Sequence, residues 1–428
     1  MPTVLLLILA FLLLYFIYKQ KVGYFICFAL LFFRIATSLF YTTSTSLYAL
    51  NPIFLGVCYG VAFICQFNYF NAKTIVQYFK SPVVITMIIV SLLMIVYNAI
   101  GPYYDAHKNF ILENQMSYLI NVFIPFVLLP FFVPDSCTRK EIVDSSTLWG
   151  VFYMIVAFVC FDFTSVIIEN RELLKDISDG LIGSIMLSKY MAIVAIIAVI
   201  KLITTNSSER GRQILYLALA TLFGLLMLIA GQRGTLIGVG LALAALLLRD
   251  EWRRHTFAIS AFAFFGILVA LAFFDFSQFE IFQRFSQFQN IKTFNRYYDY
   301  FNVWDIFKEN GYFWGLGTKG YFFKIGRIYP HNIILEHISD YGLIGLLCIL
   351  ILIFFCIRYS IRLIRYSENY TDIAIASSWI VLCFSAMVSD SILDHRLFYI
   401  FSGLLVLTYQ DYFSHFFESQ EIEHIESE

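Results

Sequence analysis

Apolar runs of bilayer-crossing length recur along this chain, and no other feature limits its fold as much. A helix needs about 20 mostly apolar residues to span a membrane. Thirteen such runs fall near 3–18, 22–40, 47–67, 82–100, 117–133, 147–168, 186–204, 213–230, 234–249, 256–275, 335–357, 372–389 and 396–412. They are continuous instead of alternating, so they read as helices and not as barrel strands. Only 14% of residues are charged against 60% hydrophobic, and mean hydropathy is +0.76. A soluble domain carries about 25% charged residues, so this chain cannot clothe a soluble surface. Disordered, collagenous and coiled-coil classes fall with it. The expected fold class is all-α: a polytopic membrane bundle of about 12–13 transmembrane helices. The first run lacks a basic flank and a small-residue cleavage site, so it is expected to be a span and not a removable signal.

Lysine and arginine set the orientation. The loops of one side hold fifteen basic residues: Lys19, Lys21, Lys73, Lys80, Arg139, Lys140, Lys201, Arg210, Arg212, Arg249, Arg253, Arg254, Arg358, Arg362 and Arg365. The short loops opposite hold five: Lys108, Arg171, Lys175, Arg233 and Arg396. The bias alternates at every span. The expected organisation is helices 1–10 over residues 1–275, an outer loop over 276–330, helices 11–13 over 331–412 and an acidic cytoplasmic tail over 413–428. The net charge of −1 gives no basic footprint for nucleic acid. The eight cysteines show no metal-ligand spacing and no disulfide framework; seven lie in apolar runs and read as small apolar fillers.

The outer loop is too long for a simple connection. Nineteen of its fifty-five residues are aromatic, with seven basic and four acidic. Phe276, Phe279, Phe282, Phe285 and Phe288 recur every third residue around Arg284. That step keeps one broad apolar face, as in a helix lying at the membrane surface. Such a helix either hugs the membrane or guides a lipid tail. A second helix is expected near 295–309, capped by Asn295, with Arg296, Tyr300, Val303 and Phe307 on one side and Asp299 and Lys308 elsewhere. Gly315, Gly317 and Gly320 then allow tight turns and close approach. Their match to G-x-G-x-x-G carries no weight without a preceding strand.

Several charges stand where apolar residues belong. Arg34 lies well inside the second run, a position that costs roughly 2.5–3.5 kcal/mol even on lenient insertion scales. It pairs with a group such as Asp162 or meets a substrate. Arg233 sits in the tight outer turn Gly231-Gln232-Arg233-Gly234; its fork suits phosphate oxygens or lipid headgroups. Pro330, His331 and Asn332 open the eleventh run, with Glu336 one turn on. A histidine there can accept a proton at neutral pH. Asp394 and Arg396, before the last run, are expected to pair locally.

Three marks together resemble the bacterial O-antigen ligase and polymerase superfamily: the Gln232-Arg233-Gly234 turn; Arg296, Trp304 and Gly315-Leu316-Gly317; and His331-Asn332 with Glu336, Gly342 and Gly345-Leu346. Their order and spacing agree over roughly 230–350, whereas the first half agrees only in hydropathy. The resemblance implies a GT-C-type glycosyltransferase of the inner membrane with its active site on the periplasmic face. It implies transfer of glycan from an undecaprenyl-diphosphate carrier to an acceptor hydroxyl, without cofactor or metal. On that reading Arg233 and Arg296 hold the diphosphate, with Arg284 assisting, and His331 is the general base. Asn332 and Glu336 orient His331 or the acceptor sugar, and Tyr300, Trp304 and Arg34 contact substrate. Membrane lipids, a chain-length regulator and a flippase are the implied partners. A polymerase joining lipid-linked repeat units is favoured over a ligase, and both over a flippase, because no internal repeat is evident.

Overall fold

The computed structural model describes residues 2–26, 50–100, 102–160, 184–206, 208–229, 233–253, 255–257, 295–310, 312–327, 329–388 and 395–426. All regular structure among them is helical. In chain order the helices are α1 (Pro2–Tyr18), α2 (Leu50–Gln66), α3 (Ala72–Phe79), α4 (Pro82–Ile100), α5 (Tyr104–Tyr118), α6 (Ile124–Val127), α7 (Leu129–Phe132), α8 (Ser136–Cys160), α9 (Ser184–Thr204), α10 (Arg210–Ile229), α11 (Arg233–Leu246), α12 (Asn295–Glu309), α13 (Gly320–Ile325), α14 (Ile333–Tyr366), α15 (Tyr370–Ala386) and α16 (Arg396–Glu426). Two of them, α4 over Pro82–Ala99 and α14, are long and apolar enough to cross a membrane, and α11 over Gly234–Leu246 and α15 are shorter apolar helices. The fold is an all-α bundle of membrane-protein character.

Helices α9 and α15 form its centre. Every residue from Ser188 to Ile200 is buried, as is nearly all of α15. A helix apolar on all sides belongs inside a bundle. Around them pack α10, α11, α14, α16 and α8, and α4 lies against α14. Small residues let the backbones close. Gly234 and Gly238 form a G-x-x-x-G step on α11, facing α15: a Cβ on Gly238 would stand 2.8 Å from the Val381 carbonyl oxygen. Thr235 and Ser385 hydroxyls meet at 3.3 Å across the same seam.

The expected span at 117–133 is not one helix. A π-turn at Leu119–Phe123 and the short α6 and α7 replace it. Pro130 cannot donate to the carbonyl of Phe126. The hydroxyl of Tyr78, on α3, donates to that carbonyl instead, at 2.7 Å, so the break stays satisfied.

One end of the bundle is tied by ion pairs. Lys201 meets Asp144 at 2.7 Å, Lys21 meets Glu141 at 2.9 Å, and Arg139 pairs with Asp411. The Glu141 carboxylate holds the exposed Lys21 ammonium above its usual range through that hydrogen bond. Helix α16 runs through the stretch expected to be an acidic tail, to Glu426.

The other end carries a cap of α5, α12 and α13. His107 stacks on Phe323 at 4.1 Å, and Val303, Ile306, Leu316 and Tyr321 form a small separate core. The described part of the long loop therefore folds onto the bundle. Arg34, Asp162, Arg284, Asp390, Asp394, the Phe276–Phe288 series and the run at 256–275 from residue 258 onward lie outside the described residues.

Candidate active site at the broken helix

Helix α14 is two helices joined at a kink. It breaks at Gly342, where φ is 63° and ψ −149°, a region essentially reserved for glycine. The loop from Tyr312 to Lys319 crosses the break. Leu316 N–H donates to Ser339 O at 2.8 Å, Gly317 N–H to Asp340 O at 2.9 Å, and Leu343 N–H to Tyr312 O at 3.0 Å. The backbone groups freed by the break are thus taken up by the loop. A Cβ on Gly315 would overlap the Asp340 carbonyl, and one on Gly342 the Phe313 carbonyl. This explains why both positions are glycine. Helix α4 fixes the loop from beneath: Asn98 Oδ1 accepts from Thr318 N–H at 3.1 Å, and Tyr97 OH donates to Phe313 O at 3.3 Å.

The short outer half, Ile333 to Tyr341, carries the polar groups. Asn332 caps it, its Oδ1 accepting from Ile334 N–H at 2.8 Å and Leu335 N–H at 3.2 Å. That oxygen is therefore committed to the helix and not to a sugar. His331, just before the cap, has φ 54°, a left-handed conformation uncommon outside glycine. Its ring stands edge-on to Tyr329 at 4.5 Å, and its Nδ1 is buried. Glu336 is 3% exposed, and Asp340, one turn further, is 2% exposed. Asp340 Oδ2 accepts from Lys319 N–H at 3.3 Å and Oδ1 from Ser339 Oγ–H at 3.3 Å. Lys319 has φ 64°, is nearly buried, and holds its ammonium 5.6 Å from the Tyr329 ring centre. His331, Tyr329 and Lys319 thus form a chain of contacts leading to Asp340.

Helix α12 presents a different face from the one expected. Asp299, Val303 and Ile306 are buried, whereas Tyr300 and Trp304 are half exposed. Tyr300 does not share a side with Val303. Asp299 accepts from Tyr321 OH at 2.6 Å and from Arg327 at 2.8 Å. Burial and the bond to Asp299 push the Tyr321 phenol well above its usual range. Trp304 packs on Phe307 at 5.7 Å, with the Lys308 ammonium 5.4 Å from its ring.

Arg233 is the first residue of α11, whose start lies against Phe384 and Val388 at the end of α15, and Arg296 is the second residue of α12. At these two arginines the backbone is described and the side chain is not. His331 precedes the cap of α14 and Glu336 lies in its first turn, beside Asp340 and Lys319, to which the motifs assign no role. Their signal was present: two carboxylates one turn apart inside an apolar run, facing a loop lysine. Asp299 and Arg327 were missed as well. Among the described residues no group of three His, Cys, Asp or Glu side chains could hold a metal ion.

Residues 217–350, which include α11, α12, the crossing loop and the break in α14, match the O-antigen ligase family. No curated protein matches the chain.

Proposed function

We propose, taking residues 217–350 as an O-antigen ligase region set in a membrane helix bundle, that this protein is a glycosyltransferase of lipid-linked surface glycans. In the favoured form it is a polymerase that joins repeat units carried on undecaprenyl diphosphate at the periplasmic face of the inner membrane. The observation that supports it most is the broken α14. Its capped outer half holds His331 at the edge of a buried polar centre, inside the family-matched region.

In the proposed reaction His331 takes the proton from an acceptor hydroxyl. The oxygen attacks the donor sugar at its anomeric carbon, and the bond to the diphosphate breaks. Arg233 and Arg296 stabilise the charge left on the diphosphate, a contribution that is often the largest in catalysis. Glu336, Asp340 and Lys319 hold the loop and helix that carry the base. The exposed rings of Tyr300 and Trp304 give a stacking surface for sugars.

The test is the glycan ladder of a strain lacking only this gene. Core carrying a single repeat supports the polymerase. Bare core with long polymer still on the lipid carrier gives the ligase reading. Repeat units stranded on the cytoplasmic leaflet would sink the catalytic role of His331.

A further inference from the structure

Below its break, α14 carries no charge from Leu343 to Ile357, and the uncharged stretch ends at Arg358, followed by Arg362 and Arg365. At about 1.5 Å per residue the stretch covers about 22 Å. The hydrocarbon core of a bilayer is about 30 Å thick. With Arg358 held at one surface, the break at Gly342 falls inside the bilayer and not above it. The loop that crosses the break lies at the same depth.

Irregular backbone survives at that depth only where protein meets its polar groups. This loop meets the condition. Tyr312 O accepts from Leu343 N–H, and Phe313 O accepts from Tyr97 OH. The N–H groups of Leu316, Gly317 and Thr318 donate to Ser339 O, Asp340 O and Asn98 Oδ1. The backbone is thus fitted for a place without water. Two of the loop's rings are left uncovered: Phe313 and Trp314 are each 59% exposed.

The surface they continue says what covers them. Helix α4 exposes Ile89, Leu92 and Val96, and α14 exposes Ile344, Leu347 and Ile351. The two helices pack together, and each is long and apolar enough to cross a membrane, so these stripes face lipid. Both stripes stop at the loop. The Trp314 ring lies 5.8 Å from that of Tyr97, the residue after Val96. Leu343, bonded to Tyr312, is the residue before Ile344. Tryptophan collects at the edge of a bilayer. The cap beyond has another character. Helix α12 exposes Asp305, Lys308 and Glu309, and the Tyr312 ring turns to Phe307 at 5.1 Å. The change from lipid to water falls between Tyr312 and Phe313.

We infer that Phe313 and Trp314 insert into the acyl chains of the leaflet away from Arg358, so that the crossing loop is a re-entrant edge bedded in lipid. This placement is independent of the reaction proposed above. The test uses tryptophan emission from the full chain in nanodiscs. The lipids are brominated near the headgroup end of their acyl chains, and acrylamide is the quencher in water. The Trp314 signal is the difference between the parent and Trp314→Phe. It should lose most of its intensity to brominated chains and little to acrylamide. The Trp304 signal, taken from Trp304→Phe, should show the reverse. Phe313→Trp adds an emission that brominated chains should quench, and it carries the test should Trp314→Phe fail to fold. Emission at position 313 or 314 that acrylamide quenches and brominated chains spare overturns the inference. So does a Trp304 signal quenched by the lipid as strongly as that of Trp314, which would put the whole cap in the bilayer.

Discussion

Gly342 shows how one residue can hold a site in place. A side chain there meets both a forbidden backbone conformation, costing about 1–3 kcal/mol, and the carbonyl of Phe313. Gly342→Ala should lower the thermal stability of the purified protein and abolish glycan transfer together. His331→Ala, by contrast, should leave the melting temperature near that of the parent and cut transfer by about 10²–10⁴-fold, the usual worth of a general base. Tyr78→Phe removes the donor that satisfies the Phe126 carbonyl. It should cost about 1–3 kcal/mol in unfolding measurements without altering transfer chemistry. Legibility at this scale was uneven. His331 and Glu336 were readable from their motif. Asn332 is expected to orient His331 or the acceptor sugar; Pro-His-Asn before an apolar run is also a capping signal, and its oxygen caps α14.

Helices were legible wherever an apolar run was long and unbroken: α4, α9, α10, α15 and the start of α16 fall where hydropathy places them. Breaks were not. The break between α6 and α7 follows from Pro130, which frees the Phe126 carbonyl to be met by a tyrosine about fifty residues away, and no local pattern reveals that. The face of α12 was misjudged because half of the positions in Tyr-Tyr-Asp-Tyr-Phe-Asn-Val-Trp are amphipathic Tyr or Trp, leaving no clear period. The buried partner of Asp299 arrives from α13 and the segment after it. The seam between α11 and α15 gives a sharp test for an element. Gly238→Leu forces α11 off the Val381 backbone and should cost at least about 1–3 kcal/mol, the usual range for overpacking. Gly240→Leu, where an added Cβ meets nothing within 4 Å, should be tolerated. Detergent-solubilised yield and melting temperature distinguish the two.

At the scale of the whole molecule, the charge pattern predicts which end faces which compartment. Cys137 is the exposed thiol among the described cysteines, and it stands at the start of α8, next to basic residues expected to face inward. A membrane-impermeant maleimide should label it in inverted vesicles and not in intact spheroplasts. Tyr312→Cys, on the crossing loop, should show the opposite pattern. Reversal of both would overturn the orientation. The contacts that close the molecule also join its extremes. Gln410 donates to the Gln77 carbonyl at 2.7 Å across 333 positions, and Asn98 accepts from Thr318 across 220. A ribosome delivers α3 and α4 to the bilayer long before their mates exist. Until α14 and α16 emerge, Asn98 and the surface around Tyr78 stand open to lipid or to an insertion chaperone. The end that carries the proposed site can only be completed near the end of synthesis, so nascent chains arrested between residues 250 and 390 should be those most readily degraded.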